Sequence, residues 1–119
     1  MRERKSQMVT PQGIENRLVA LSKEVDESHQ FLESAEYKYH TAKASYEIAI
    51  AQARLSFAGE KFRVQDVQDQ ALLICKDKYE ALNVAEATVK AARANATRIR
   101  TQVDIARSIG TSVRASLEM

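Results

Sequence analysis

The chain has 119 residues, 18 Lys and Arg against 16 Asp and Glu, a formal net charge of +2, and one cysteine. Three Gly, one Pro and no Trp exclude turn-dense β architectures, glycine-rich phosphate loops and a large aromatic core. A single thiol excludes an intrachain disulfide framework, and no apolar run is long enough to span a bilayer.

Residues 1–11 form a short basic N-terminal segment, with Arg2, Arg4 and Lys5 and no apolar stretch behind them, so no signal peptide is expected and the expected location is the cytoplasm. Thr10-Pro11 is a helix start: a threonine hydroxyl caps the first turn and proline suits the first helical position. The first helix is predicted over residues 12–57. Along it Ile14, Leu18, Leu21, Val25, Ser28, Leu32, Ala35, Tyr39, Ala42, Tyr46, Ala49 and Ala53 follow steps of 4 and 3 without a slip. Gly59 is the residue for a left-handed cap, and residues 58–63 are predicted as a turn.

The second helix is predicted over residues 64–117. Its seam is Ala71, Cys75, Lys78, Leu82, Ala85, Val89, Ala92, Ala96, Ile99, Val103, Ala106, Gly110, Val113 and Leu117. Sustained apolar heptads mean helices that supercoil about a partner, with a left-handed twist. Two matched helices joined by about six residues are expected to pair antiparallel. The fold class expected is all-α: a long antiparallel coiled-coil hairpin over residues 12–117, roughly 70–80 Å long at about 1.5 Å per residue. Its seam is rich in Ala and buries little area, so further stability from oligomerisation into a helical bundle is expected.

Ile48, Ile50, Leu55, Phe57, Phe62, Val67, Leu73 and Ile74 fall off this seam or at the turn. They are read as the surface for another copy of the chain or for a partner protein. Charge has the opposite bias, because residues 90–119 carry six bases against two acids. Arg93, Arg100, Arg107 and Arg114 are seven residues apart and form one row beside the seam. Together with Arg98 and Lys90 they have two roles open to them. One is tracking nucleic-acid phosphate, without base stacking because no aromatics interleave. The other is bridging to carboxylates of the first helix. Glu15, Glu33 and Glu36 favour bridging for Arg107 and Arg93, whereas fewer acids are available to Arg98, Arg100 and Arg114.

Other chemistry is sparse. His29, Glu33, Glu36 and His40 are spaced 4, 3 and 4, which is no known ligand pattern, and a solvated face is the simpler reading. Cys75 is read as a buried apolar thiol. Lys78 interrupts the seam and either snorkels or sets register. Asn95 and Gln102 sit where they can hydrogen-bond across the seam, and Gly110 permits close approach or a bend. No nucleophile–base pair, phosphate loop or metal motif is present. A non-enzymatic protein without cofactor, membrane or small-molecule substrate is expected, with itself as partner and DNA backbone or a DNA-bound protein as the second.

Two stretches carry a resemblance. The segment Ala35-Glu36-Tyr37-Lys38-Tyr39-His40-Thr41-Ala42-Lys43-Ala44-Ser45-Tyr46-Glu47 with Ala51-Gln52-Ala53-Arg54, and the block Arg98-Ile99-Arg100-Thr101-Gln102-Val103-Asp104-Ile105-Ala106-Arg107-Ser108, resemble small helical-hairpin proteins encoded by phages of actinobacteria. The resemblance implies an accessory role in phage DNA replication or recombination, in the host cytoplasm, and assigns no functional residues. Secreted helical-hairpin substrates of type VII systems share the length but carry Trp-x-Gly in the turn. Here the turn reads Ala58-Gly59-Glu60, against that family. The alternative function is a protein–protein module that binds a host or phage protein and no nucleic acid.

Overall fold

A computed structural model describes residues 10–57, 59 and 63–118. Among them there are three helices and no strand: α1 (Pro11–Leu55), α2 (Val64–Ile74) and α3 (Lys76–Glu118). The basic residues Arg2, Arg4 and Lys5, and Phe62 of the turn, lie outside the described residues.

The start of α1 follows its local chemistry. The Thr10 hydroxyl accepts a hydrogen bond from the Gly13 amide at 3.0 Å, and the Thr10 carbonyl accepts the Ile14 amide at 3.0 Å. One otherwise orphaned donor of the first turn is thereby satisfied. At its other end α1 stops at Leu55, where Phe57 donates its amide to the Arg54 carbonyl at 3.2 Å. Gly59 has φ +87°, the left-handed backbone that glycine adopts without a Cβ penalty. It does so four residues past the helix end, as part of the turn and not as the residue directly capping α1.

The second predicted helix is interrupted. Cys75 has φ −96° and ψ 17°, and its amide donates to the carbonyls of both Ala71 and Leu73. The break is one residue wide, because Tyr79 still donates to the Cys75 carbonyl at 2.9 Å. Neither Gly nor Pro marks it.

The described residues divide into two compact units, one formed by those up to Leu32 and from Ala92 onward, the other by Glu33–Ala91. In the first unit Ile14, Leu21 and Ser28 of α1 are buried, as are Ala92, Ile99 and Ala106 of α3. Leu21 is wholly enclosed. Ser28 satisfies its hydroxyl locally by donating to the Val25 carbonyl at 2.9 Å, so a polar residue sits in the seam without an unmet hydrogen bond. Gly110 is buried, and a Cβ built there would lie 3.2 Å from Ile14 Cγ2, a tight contact between α3 and α1. Arg17 donates to Gln102 Oε1 at 3.2 Å, a polar tie between α1 and α3 that Gln102 was expected to make.

In the second unit Ile50, Ala53, Ala71 and Cys75 form the buried core, with Tyr46 and Ala49 packed against it. Tyr46 also meets Tyr79, with ring centroids 5.7 Å apart. Lys78 is exposed and its ammonium donates to Ser45 Oγ at 2.7 Å. The lysine thus keeps its charge in water while tying the second seam to α1. No helix among the described residues is long and apolar enough to cross a membrane.

Candidate nucleic-acid and association surfaces

The cationic candidates lie on α3. A seven-residue repeat on a coiled-coil helix returns to the same azimuth, so Arg93, Arg100, Arg107 and Arg114 stand in one row about 31 Å long. All four are exposed, as is Arg98. Arg98 donates to Asn95 Oδ1 at 2.9 Å, and Arg114 donates through Nε to the Gly110 carbonyl at 3.3 Å. These are intrahelical bonds to neutral acceptors, which orient a guanidinium without cancelling its charge. Among the described residues Arg98, Arg100, Arg107 and Arg114 make no ion pair within 4 Å. Arg93 is engaged within the chain.

Glu15 and Arg107 border one groove of about 340 Å³ together with Ile14, Leu18, Gly110 and Arg114, but no ion pair joins them among the described residues. The bridge favoured for Arg107 is therefore not formed. Lys90 stands apart from the row. It belongs to the Glu33–Ala91 unit and pairs with Glu86 of its own helix at 3.4 Å, an exposed i,i+4 pair worth a few tenths of a kcal/mol.

The apolar candidates lie in the second unit. Ile48, Leu55, Leu73 and Ile74 are exposed, each by more than half of its surface, whereas Phe57 and Val67 are half-buried. Ile50 is placed differently from the expectation. It is buried within the chain against the Ala53, Ala71 and Cys75 cluster, because position 50 shares the inward face with Tyr46 and Ala53 (i±3 and i±4 neighbours). Val64, which also lies off the predicted seam, and Tyr37, which was not singled out from sequence, are three-quarters exposed and join the outward group. Arg17, half-buried against Gln102, was also missed, since nothing in its spacing separates it from a surface arginine.

Cys75 is a buried free thiol. His40 is exposed and packs edge-on to Tyr39 with ring centroids 5.4 Å apart. Among the described residues no group of three or more His, Cys, Asp or Glu is placed to hold a metal ion. No family model, curated protein or solved structure matches the chain.

Proposed function

We propose that the chain is a non-enzymatic, oligomeric coiled-coil accessory protein of phage DNA replication or recombination. In this reading it is an antiparallel two-helix hairpin that self-associates through the apolar surface of its turn-bearing unit. Its last helix contacts DNA phosphate through Arg98, Arg100, Arg107 and Arg114.

The antiparallel pairing is supported within each unit by partners that descend as α1 ascends. Ile14 lies against Gly110 and Arg17 against Gln102 in the first unit. In the second, Tyr46 meets Tyr79, whereas Ala53 clusters with Ala71 and Cys75. The observation that carries the functional reading is that Arg98, Arg100, Arg107 and Arg114 are exposed and make no ion pair within 4 Å among the described residues. Exposed guanidiniums spaced along about 24 Å of one helix match a line of phosphates better than a structural role. Oligomerisation multiplies such weak contacts into useful affinity.

Retardation of DNA on a gel tests this. The chain is expected to shift single- or double-stranded DNA at low salt and to lose the shift steeply as salt rises. Arg98→Ala with Arg100→Ala and Arg114→Ala is expected to abolish the shift with helicity intact. A folded oligomer that binds no DNA at low salt overturns the nucleic-acid part of the proposal.

The exposed Ile48, Leu55, Leu73 and Ile74 favour a second reading: a module that captures a host or phage protein by helix-in-groove docking and binds no nucleic acid. Co-purification of a stable monomer with one protein, lost on changing Ile48 and Ile74 to polar residues, supports that reading. Capture that survives those changes excludes this face.

A further inference from the structure

A second heptad pattern runs along α1 on the side away from its buried seam. Tyr37, Thr41, Ala44, Ile48, Ala51 and Leu55 follow steps of 4, 3, 4, 3 and 4, and all six are exposed. Tyr37, Ile48 and Leu55 keep 74%, 60% and 72% of their surface in solvent. At about 100° per residue the stripe lies opposite Tyr39, Ala42, Tyr46, Ala49 and Ala53, which face inward. Toward the N-terminus the same phase meets Ser34, Gln30 and Glu27, so the apolar repeat is confined to this stretch. A merely solvated face has no reason to carry a heptad stripe that is apolar at every position but Thr41.

We propose that this stripe is the seam of a parallel homodimer, in which α1 of one copy packs in register against α1 of a second copy. The inference rests on the self-association proposed above and specifies its face and its orientation.

The flanking charges name the occupant. With Thr41, Ile48 and Leu55 at a positions and Tyr37, Ala44 and Ala51 at d, Glu33 falls at g and Lys38 at the following e. In a parallel pair the g residue of one helix meets the next e residue of the other. Glu33 of each copy then faces Lys38 of the other, twice by symmetry. Neither residue has an ion-pair partner among the described residues. The next two flanking pairs, His40 with Ser45 and Glu47 with Gln52, oppose no like charges. An antiparallel alignment that sets Tyr37 against Leu55 would instead bring Glu47 against Glu47 of the other copy. The seam is about 27 Å long, short for a free coiled coil. However, α1 is already helical in each chain, so no nucleation cost opposes pairing. A dimer that dissociates on dilution is expected.

Cysteine cross-linking tests the face. In a Cys75→Ala background, Ala44→Cys places the thiol at a d position, where parallel helices bring Cα atoms within disulfide range. Ala44→Cys is expected to form a covalent dimer under mild oxidation, and Ala87→Cys, exposed on α3, to remain a monomer. Independently, Ile48→Lys with Leu55→Lys is expected to lower the solution mass from twice the 13.4 kDa chain mass to that mass, without loss of helicity.

An Ala44→Cys chain that cross-links to an Ile48→Cys chain but not to itself overturns the parallel orientation. A wild-type oligomer that survives both lysines, or in which Ala44→Cys does not cross-link, overturns this face and leaves self-association standing. A wild-type chain of 13.4 kDa at every concentration overturns both.

Discussion

Gly110 of α3 stands so close to Ile14 of α1 that a single added carbon would lie 3.2 Å from its Cγ2 methyl. Glycine within a helix costs roughly 1 kcal/mol relative to alanine. Its use here marks a place where the α3 backbone meets the Ile14 side chain. Ile14 also borders an open groove, so its methyl has room to yield by a few tenths of an ångström. Gly110→Ala is therefore expected to be neutral or to raise stability by less than about 1 kcal/mol. Gly110→Leu overfills the contact and is expected to lower stability by about 1–3 kcal/mol. Thermal unfolding followed by far-ultraviolet circular dichroism checks the order of the two variants. A leucine variant as stable as the wild type contradicts the close approach.

Ile50 and Ile48 provide a second test, because they differ by two positions and by opposite surroundings. Ile50 is buried with Ala53, Ala71 and Cys75, whereas Ile48 is 60% exposed. Ile50→Ala is expected to cost about 2 kcal/mol or more through lost burial and a residual cavity. Ile48→Ala, measured at a concentration where the chain is monomeric, is expected to stay within about 0.5 kcal/mol of the wild type. Urea unfolding of the two variants side by side decides it.

The left-handed backbone at Gly59 isolates a conformational effect from a packing one. Its φ is +87° and no heavy atom lies within 4 Å of a built Cβ. Gly59→Ala is thus expected to cost about 1–2 kcal/mol from backbone strain alone. Gly59→Asn, which tolerates that region better, is expected to cost less. Equal effects of the two would show that the turn does not hold this conformation in solution.

Most of the architecture is legible in the sequence because heptad phase is a redundant signal. Every first-seam position from Ile14 to Ala53 is buried or half-buried, and on the second seam only Lys78 and Leu117 are exposed. Lys78 is exposed because an ammonium is cheaper in water, bonded to Ser45, than buried in the seam.

What the heptads could not reveal is where regularity fails or where one face ends. The one-residue break at Cys75 leaves no compositional trace. Ile50 reads as off-seam because a two-position heptad stripe is narrower than the inward face of a packed helix. The candidate surfaces were harder still. A row of arginines has the same spacing whether it meets carboxylates or solvent. The structure shows the row is not uniform: no ion pair joins Glu15 and Arg107 among the described residues, whereas Arg93 is engaged within the chain.

The salt dependence of DNA binding carries its own prediction. Each phosphate contact contributes roughly 0.9 to the slope of log affinity against log salt on duplex DNA, and about 0.7 on single strands. Arg100→Ala alone is expected to weaken binding and to reduce that slope by about one contact. Substituting Arg17, which is half-buried against Gln102, is expected to lower stability by about 1 kcal/mol without changing the slope. Fluorescence-anisotropy titrations at several salt concentrations separate the two effects.

Solution mass by light scattering, taken with and without DNA, bears most directly on an apolar unit that self-associates and an arginine row that meets phosphate. The account predicts a multiple of 13.4 kDa for the free protein and a heavier complex when DNA is added at low salt. A particle of 13.4 kDa whose mass DNA leaves unchanged would contradict it.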